Sequence, residues 1–216
     1  MIITIDGPAG SGKSTVADAL AEKLGFIHFN SGSLFRAVTA YLFENGFDIE
    51  SIKDDSRIPK FELQVEMKNS VQHVFVNNKD FTPVLRENHI STLVAFVAQN
   101  KYCRQRIDRC QKQFCSTHNI VIEGRDVGSF VFPNAEYKFY LDCSIEERAR
   151  RRFKEEKLKN SKITLKTIEK QLKERDFIDK TRKFAPLVVP KNAIIIDSTK
   201  LNVDEVVQFM LKHIKI

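Results

Sequence analysis

No apolar run in this 216-residue chain approaches the ~20 residues needed to cross a bilayer, so a membrane-spanning helix is not expected. Cysteine is scarce, and Cys103, Cys110, Cys115 and Cys143 show no C-x-x-C spacing. That argues against a zinc clamp and a disulfide framework and for reduced thiols in a cytoplasmic protein. The five histidines are scattered, so no histidine base or metal site is assigned. Internal repeats and low-complexity segments are lacking, and a strand pattern beginning at Ile2 leaves no room for a signal peptide. The charge is +7 with a pI near 9.2, but the basic residues form no long tract and no aromatic-interleaved basic strand. A site that handles several phosphates therefore explains the charge better than polynucleotide binding, which would be steeply salt-dependent. The length and 42% hydrophobic content fit one globular domain with embellishments.

The richest segment is Ile2–Thr15, IITIDGPAGSGKST. An apolar β-branched run stops at Asp6, a glycine-rich stretch follows, and Lys13-Ser14-Thr15 opens a helical pattern through Val16, Ala19, Leu20 and Leu24. This is G-x-x-x-x-G-K-[ST] between a strand and a helix, the context that marks a P-loop. Gly7, Pro8, Ala9, Gly10, Ser11, Gly12, Lys13, Ser14 and Thr15 are the expected ATP-binding residues. Backbone N–H groups and the helix N-terminus would cradle phosphate. Lys13 would reach the β- and γ-phosphates, and Ser14 would ligate Mg²⁺.

Further along, short apolar runs predict strands at Ile2–Asp6, Phe26–Phe29, Ile120–Glu123, Tyr137–Asp142 and Ala193–Asp197. Helical periodicity predicts Ser14–Leu24, Ser33–Glu44, Ile90–Phe114, Ile145–Leu158, Leu165–Phe184 and Val203–Ile214. Strands separated by helices imply an α/β fold with a parallel sheet. Period-two alternation at Phe61–Met67, then Val74–Val76 and a turn at Asn77–Asp80, predicts a small antiparallel insert. Lys154–Lys166 is polar and aperiodic, which predicts a mobile, exposed connection.

A P-loop alone does not separate a switch GTPase, a motor and a small-molecule kinase, so arginine placement matters. Arg148, Arg151 and Arg152 share one helical face, either a solvated basic surface or a lid over a triphosphate. Arg175, Asp179 and Arg182 form another stripe, either a surface ion-pair ladder or a ribose and phosphate clamp. Ser31-Gly32 followed by Arg36 suits a second anion, and Glu123-Gly124-Arg125-Asp126 ends a strand where ligands gather in parallel sheets. No N-K-x-D guanine-reading motif is present.

The segments IDGPAGSGKST, FNSGSLFRAVT, IEGRDVGSFVFPNAEYKFYLDCSIEERARRR, ERDFIDKTRKFAPL and IIIDST together resemble the bacterial cytidylate kinase family nearly end to end. The resemblance implies a P-loop three-layer fold with a central five-stranded parallel sheet, a helical lid and a β insert in the monophosphate-binding region. Core (about 1–30, 115–147, 185–216), monophosphate-binding region (about 31–114) and lid (about 148–184) would make one kinase domain. The implied reaction is ATP + CMP (or dCMP) → ADP + CDP (or dCDP), with Mg²⁺, in a cytoplasmic monomer that uses neither nucleic acid nor membrane. Shikimate-type or other monophosphate kinases, and a regulatory nucleotide-binding module, are the alternatives.

The resemblance also implies roles. Ser31 and Arg36 would take the acceptor phosphate with Arg125 and Arg182; Arg175 and Asp179 would hold the pentose; Arg104 and Asp126 would read cytosine. A carboxylate accepting from the exocyclic N4 amine distinguishes cytosine from uracil, which has no donor there. Lys13, Arg151, Arg152 and Arg182 would serve catalysis. Three positions depart from the usual family pattern: Ala95 replaces a base-contacting serine, while Glu123 and Asn30 each replace an aspartate. Loss of the serine hydroxyl removes one hydrogen bond, worth roughly 1–1.5 kcal/mol of base discrimination.

Overall fold

The computed structural model describes residues 1–52, 58–157 and 163–215. The strands are β1 (Ile2–Asp6), β2 (Ile27–Asn30), β3 (Leu63–Lys68), β4 (Val71–Val76), β5 (Lys79–Asp80), β6 (Ile120–Gly124), β7 (Tyr137–Asp142) and β8 (Ile194–Asp197). The α-helices are α1 (Lys13–Leu24), α2 (Ser31–Glu44), α3 (Asn88–Val97), α4 (Lys101–Cys115), α5 (Ile145–Lys157), α6 (Leu165–Thr181) and α7 (Val203–Leu211). A five-stranded parallel sheet runs β2-β6-β1-β7-β8, and a three-stranded antiparallel sheet runs β3-β4-β5. The α/β class, the parallel sheet and the β insert thus stand as the sequence implies.

The chain divides into two compact units, residues 1–26 with 121–216, and residues 27–120. In the first, α1 and α7 bury Val16, Leu20, Val206, Val207 and Met210 in one apolar cluster with Ile3, Ile5, Phe139 and Leu141 of the strands. Strands buried on both faces need continuous apolar runs, and β6 is buried along its whole length. Burying each such side chain contributes about 1.5–3 kcal/mol, which fixes the carboxyl ends of β1 and β6, where the polar loops emerge. Tyr137–Asp142 of β7 pairs in parallel with both β1 and β8.

In the second unit the period-two segment behaves as alternation requires: β3 residues are alternately half-buried and exposed, with Leu63 opposite Val76 and Val65 opposite Val74. Two-residue turns close both hairpins, Asn69-Ser70 and Asn77-Asn78, all four with positive φ, as the twist of a tight hairpin demands. The turn is therefore shorter than the predicted Asn77–Asp80, because Lys79 and Asp80 already pair back as β5.

Two further expectations need correction. The single helix predicted over Ile90–Phe114 is two helices, α3 and α4. Asn100 divides them: its side chain accepts from Cys103 N at 3.0 Å as the cap of α4 and donates to Ile52 O at 2.8 Å. Apolar periodicity continues across the break and hides it, but asparagine at a cap outcompetes helix propagation. The predicted mobile connection also fails over Lys154–Lys157, which is helical, with Glu156 buried against Arg152. At its other end Ile163 packs on Ala149, Ile168 and Leu172, and Thr164 caps α6. Residues 158–162 of that segment lie outside the described residues.

Candidate active site

In the first unit the P-loop joins β1 to α1. Gly12 caps α1 in the left-handed conformation (φ 89°), which a side chain would strain. Lys13 is almost fully buried, and its ammonium donates to Pro8 O at 2.6 Å and to Ser11 Oγ at 3.3 Å. Burial, assisted by the Arg125 charge, brings Lys13 down to about 7 despite the opposing pull of Glu123 and Asp6. Ser14 Oγ donates to Glu123 Oε1 at 2.7 Å, so the β6 carboxylate and the P-loop hydroxyl form one oxygen cluster.

Asp6, at the end of β1, is wholly buried and accepts from Val127 N at 2.8 Å and Gly128 N at 2.7 Å, at the start of a single π-helical turn (Val127–Val131). Burial raises its carboxyl to about 7 against those two donors, with Asp126 adding to the rise. The approach is so close that a Cβ on Gly128 would sit 2.5 Å from Thr4 Oγ1 and 3.1 Å from Asp6 Oδ2.

The α6 stripe is no surface ladder. Asp179 is fully buried and gathers three guanidinium groups: Arg125 Nε at 3.1 Å, Arg175 Nε at 3.0 Å and Arg182 Nη1 at 3.5 Å. Arg182 also donates to Asp126 Oδ1 at 2.6 Å and to Ala185 O at 2.6 Å. Burial would raise the Asp179 carboxyl, but Arg175, Arg125 and Arg182 together overcome it and hold it at about 2. Arg125, Asp126, Arg175, Asp179 and Arg182 therefore form one cluster with more cation than anion, suited to an anionic ligand.

The lid-face arginines diverge. Arg148 is buried against the P-loop backbone. Arg151 stays half-buried, bonding Glu147 Oε1 at 3.1 Å and Ser198 O at 2.6 Å, with its Nη1 3.6 Å from where a Cβ on Gly12 would lie. Arg152 is exposed and pairs along its own helix with Glu155 at 3.3 Å and Glu156 at 2.5 Å. Sharing a helical face does not bring Arg152 to the P-loop, because nearby carboxylates on α5 take it first.

In the second unit, Asn30 Oδ1 caps α2 by accepting from Ser33 N at 3.0 Å, so the helix starts at Ser31 and not at the predicted Ser33. Asparagine thus retains the capping role open to the aspartate it replaces. Gln72 of β4 holds the Asn30 backbone from both sides, accepting its N–H at 2.7 Å and donating to its carbonyl at 3.2 Å. Ser31 Oγ donates to Gln111 Oε1 at 2.8 Å, and Gln111 donates to Asp108 Oδ1 at 3.0 Å. Arg36, one turn beyond Gly32, brings its Nη1 to 3.0 Å of a Cβ placed on that glycine. Arg104 is fully buried on α4, stacks over Phe35 at 5.1 Å and donates to Ala98 O at 3.1 Å, a carbonyl that the break between α3 and α4 frees.

Sequence reasoning overlooked Asp6, Asp108, Gln111, Asp176 and Ser198. Arg104, Asp108 and Gln111 fall at i, i+4 and i+7, a polar stripe on a buried helix face that the spacing alone could have revealed. Ser198 follows the last strand, and its hydroxyl reaches Ser11 O at 3.3 Å and Asp142 O at 3.0 Å, a link between distant loops that no periodicity carries.

The family model described as cytidylate kinase matches residues 3–216. A cytidylate kinase of Thermotoga sp. (strain RQ2) is 40% identical over 213 residues, covering 99% of this chain and 96% of that protein. One from Fusobacterium nucleatum subsp. nucleatum is 38% identical over 215 residues, covering 100% and 97%. Among solved structures, an uncharacterized protein from Eubacterium ventriosum ATCC 27560 superposes with a TM-score of 0.52 at 15% identity, covering 99% of this chain and 97% of that one, a likeness of fold.

Proposed function

Because the chain belongs to the cytidylate kinase family, we propose that it transfers the γ-phosphate of ATP to CMP or dCMP, giving ADP and CDP or dCDP. The observation that carries this is the P-loop set beside a buried cluster of three arginines on two aspartates, all in one compact unit. An oxygen of the acceptor phosphate attacks the γ-phosphorus, and the bond to the β-bridging oxygen of ADP breaks. That nucleophile is already an anion, so no strong general base is needed. The protein must bring two anions into line, neutralise them and exclude water.

We assign the P-loop amides from Gly10 onward and Lys13 to the donor phosphates; the Ala9 N–H, expected in the same set, is taken by Asp176. A polyphosphate beside Lys13 raises its proton affinity again, so the ammonium is fully charged only where it is needed. Ser14 and Glu123 supply hard oxygen donors in contact with each other, a set that fits Mg²⁺. When bound, the ion would neutralise charge on the donor phosphates. We assign Arg125, Arg182, Ser31 and Arg36 to the acceptor phosphate, Arg175 and Asp179 to the pentose, and Asp126 and Arg104 to cytosine. Arg151, held near Gly12, is the stronger candidate for the moving phosphate; Arg152 would first have to leave Glu156.

We further assign residues 148–184 to a lid and 31–114 to monophosphate binding, with the remainder as core. The same reading makes the protein a cytoplasmic monomer acting on free nucleotides, in line with four cysteines that remain thiols. No helix among the described residues is long and apolar enough to cross a membrane.

The test is ADP release from ATP and Mg²⁺ with CMP, dCMP, UMP, AMP and shikimate as acceptors. Turnover is expected with CMP or dCMP ahead of the others. Turnover with AMP or shikimate and none with either cytidine nucleotide would overturn the assignment.

A further inference from the structure

The backbone of Ala9, at the tip of the P-loop, is gripped on both sides by an ion pair from two helices. Asp176 of α6 accepts from Ala9 N at 3.3 Å, and Arg148 of α5 donates to Ala9 O at 2.9 Å. The two side chains meet at 2.7 Å, with only 8% of the Arg148 side chain and 11% of the Asp176 side chain exposed. Arg148 is held in turn by Cys143 O, which accepts from its Nε at 3.0 Å. The neighbouring loop residue fits tightly too: a Cβ on Gly10 would lie 3.4 Å from Arg148 Cβ.

Three features set this pair apart from an ordinary structural salt bridge. Each partner spends a bond on the same residue, one on each of the two peptide units that flank Ala9, in a loop whose backbone shape is its function. The Ala9 N–H is committed to Asp176 and so is not among the amides left for an anion. Asp176 would itself repel a polyphosphate if Arg148 did not neutralise it. The fork of the guanidinium lets one side chain serve Asp176, Ala9 and Cys143 together, which an ammonium on a flexible stem does poorly.

We infer that Arg148 and Asp176 are positioning residues for the phosphoryl donor, clamping the backbone on both sides of Ala9 so that the P-loop holds its donor-binding shape before the donor arrives. This rests on the P-loop as the ATP site in the proposed reaction. Preorganising a loop lowers the ordering cost of binding, so the loss should fall on ATP and spare the monophosphate.

The experiment compares R148M, R148K and the exchange R148D/D176R. It measures KM for ATP, KM for CMP, affinity for a non-hydrolysable ATP analogue by calorimetry, and the thermal midpoint. The expected result is a rise of about tenfold or more in KM for ATP in all three, with KM for CMP changed by less than about twofold. The exchange should regain thermal stability over R148M, because an ion pair is restored. It should not regain ATP binding, because residue 148 would then offer no donor to Ala9 O and residue 176 no acceptor to Ala9 N. A folded variant with wild-type KM for ATP, or an exchange that restores ATP binding along with stability, would overturn the inference. Should R148M and the exchange not fold, R148K decides by the same criteria. If the unaltered protein binds the analogue but does not phosphorylate CMP, the reaction fails and not the clamp, which the calorimetry still reads.

Discussion

Asp126 and Arg182 are 56 residues apart in sequence and meet at 2.6 Å, Arg182 Nη2 donating to Asp126 Oδ1 with both side chains almost wholly buried. The residue assigned to read the base and one assigned to the acceptor phosphate are thus one hydrogen-bonded unit. Whatever disturbs the carboxylate also disturbs the guanidinium.

Asp126→Asn keeps the shape and weakens the acceptor. CMP should lose more kcat/KM than UMP, because only cytosine donates from N4, and part of the loss should appear for both through Arg182. A CMP-specific loss of roughly 1–3 kcal/mol is expected for one such contact. Equal losses for the two nucleotides, measured side by side, would remove Asp126 from base reading.

Glu123 receives the Ser14 hydroxyl at 2.7 Å. Replacing it by Gln removes a charge from the oxygen cluster without changing its bulk. The Mg²⁺ concentration giving half-maximal activity should rise about 10–100-fold, the usual effect of losing a supporting ligand. An unchanged Mg²⁺ titration would show that the carboxylate only tethers the P-loop.

Lys13 gives a sign that can be checked. Its affinity for protons falls from 10.5 in the free side chain to about 7 in the fold, so between those values the unfolded chain binds more protons and stability rises with pH. Asp6 runs the other way: raised from 3.8 to about 7, it makes stability fall with pH across that interval. Together they contribute a trough near neutrality in the nucleotide-free protein. Lys13→Met should abolish the alkaline limb in thermal melts while lowering kcat by roughly 10²–10³-fold. A melt profile that keeps its slope above pH 7 would contradict the buried-ammonium account.

Asp179 should govern the acid limb. Its carboxyl lies at about 2 against an ordinary 3.8, so its contribution is complete above pH 4 and is lost as pH falls towards 2. The difference corresponds to about 2 kcal/mol. Asp179→Asn, less stable at neutral pH because three arginines lose their shared anion, should lose correspondingly less stability between pH 4 and 2. Denaturant melts at three or four acidic pH values would reveal the change in slope, and parallel acid limbs would count against the hub.

Local chemistry explains what could be read from the chain in advance. The P-loop, the parallel strands and the β insert are written in contiguous residues, where period and glycine placement determine the backbone directly. The cluster on Asp179 was legible as spacing but not as burial, since i, i+4 and i+7 describe a stripe without saying what covers it. The division between α3 and α4 was hidden because Asn100 interrupts the backbone while the apolar period continues. Arg152 shows a related limit: spacing gives its helical face, but its pairing with Glu155 and Glu156 is settled by side-chain reach. Contacts such as Asp6 with Gly128, 122 residues away, have no local signature at all.

The narrow seat of Gly128 over Asp6 has an implication for how this enzyme can vary. Any side chain there would wedge the segment after β6 off the end of β1, and Arg125 and Asp126, only three and two positions upstream, would travel with it. Hydrogen alone fits, so a position with no assigned ligand contact becomes a place where the cluster of Arg125 and Asp126 can be detuned in a single step. Random mutagenesis should find it among the inactivating changes, even though it carries no chemistry of its own.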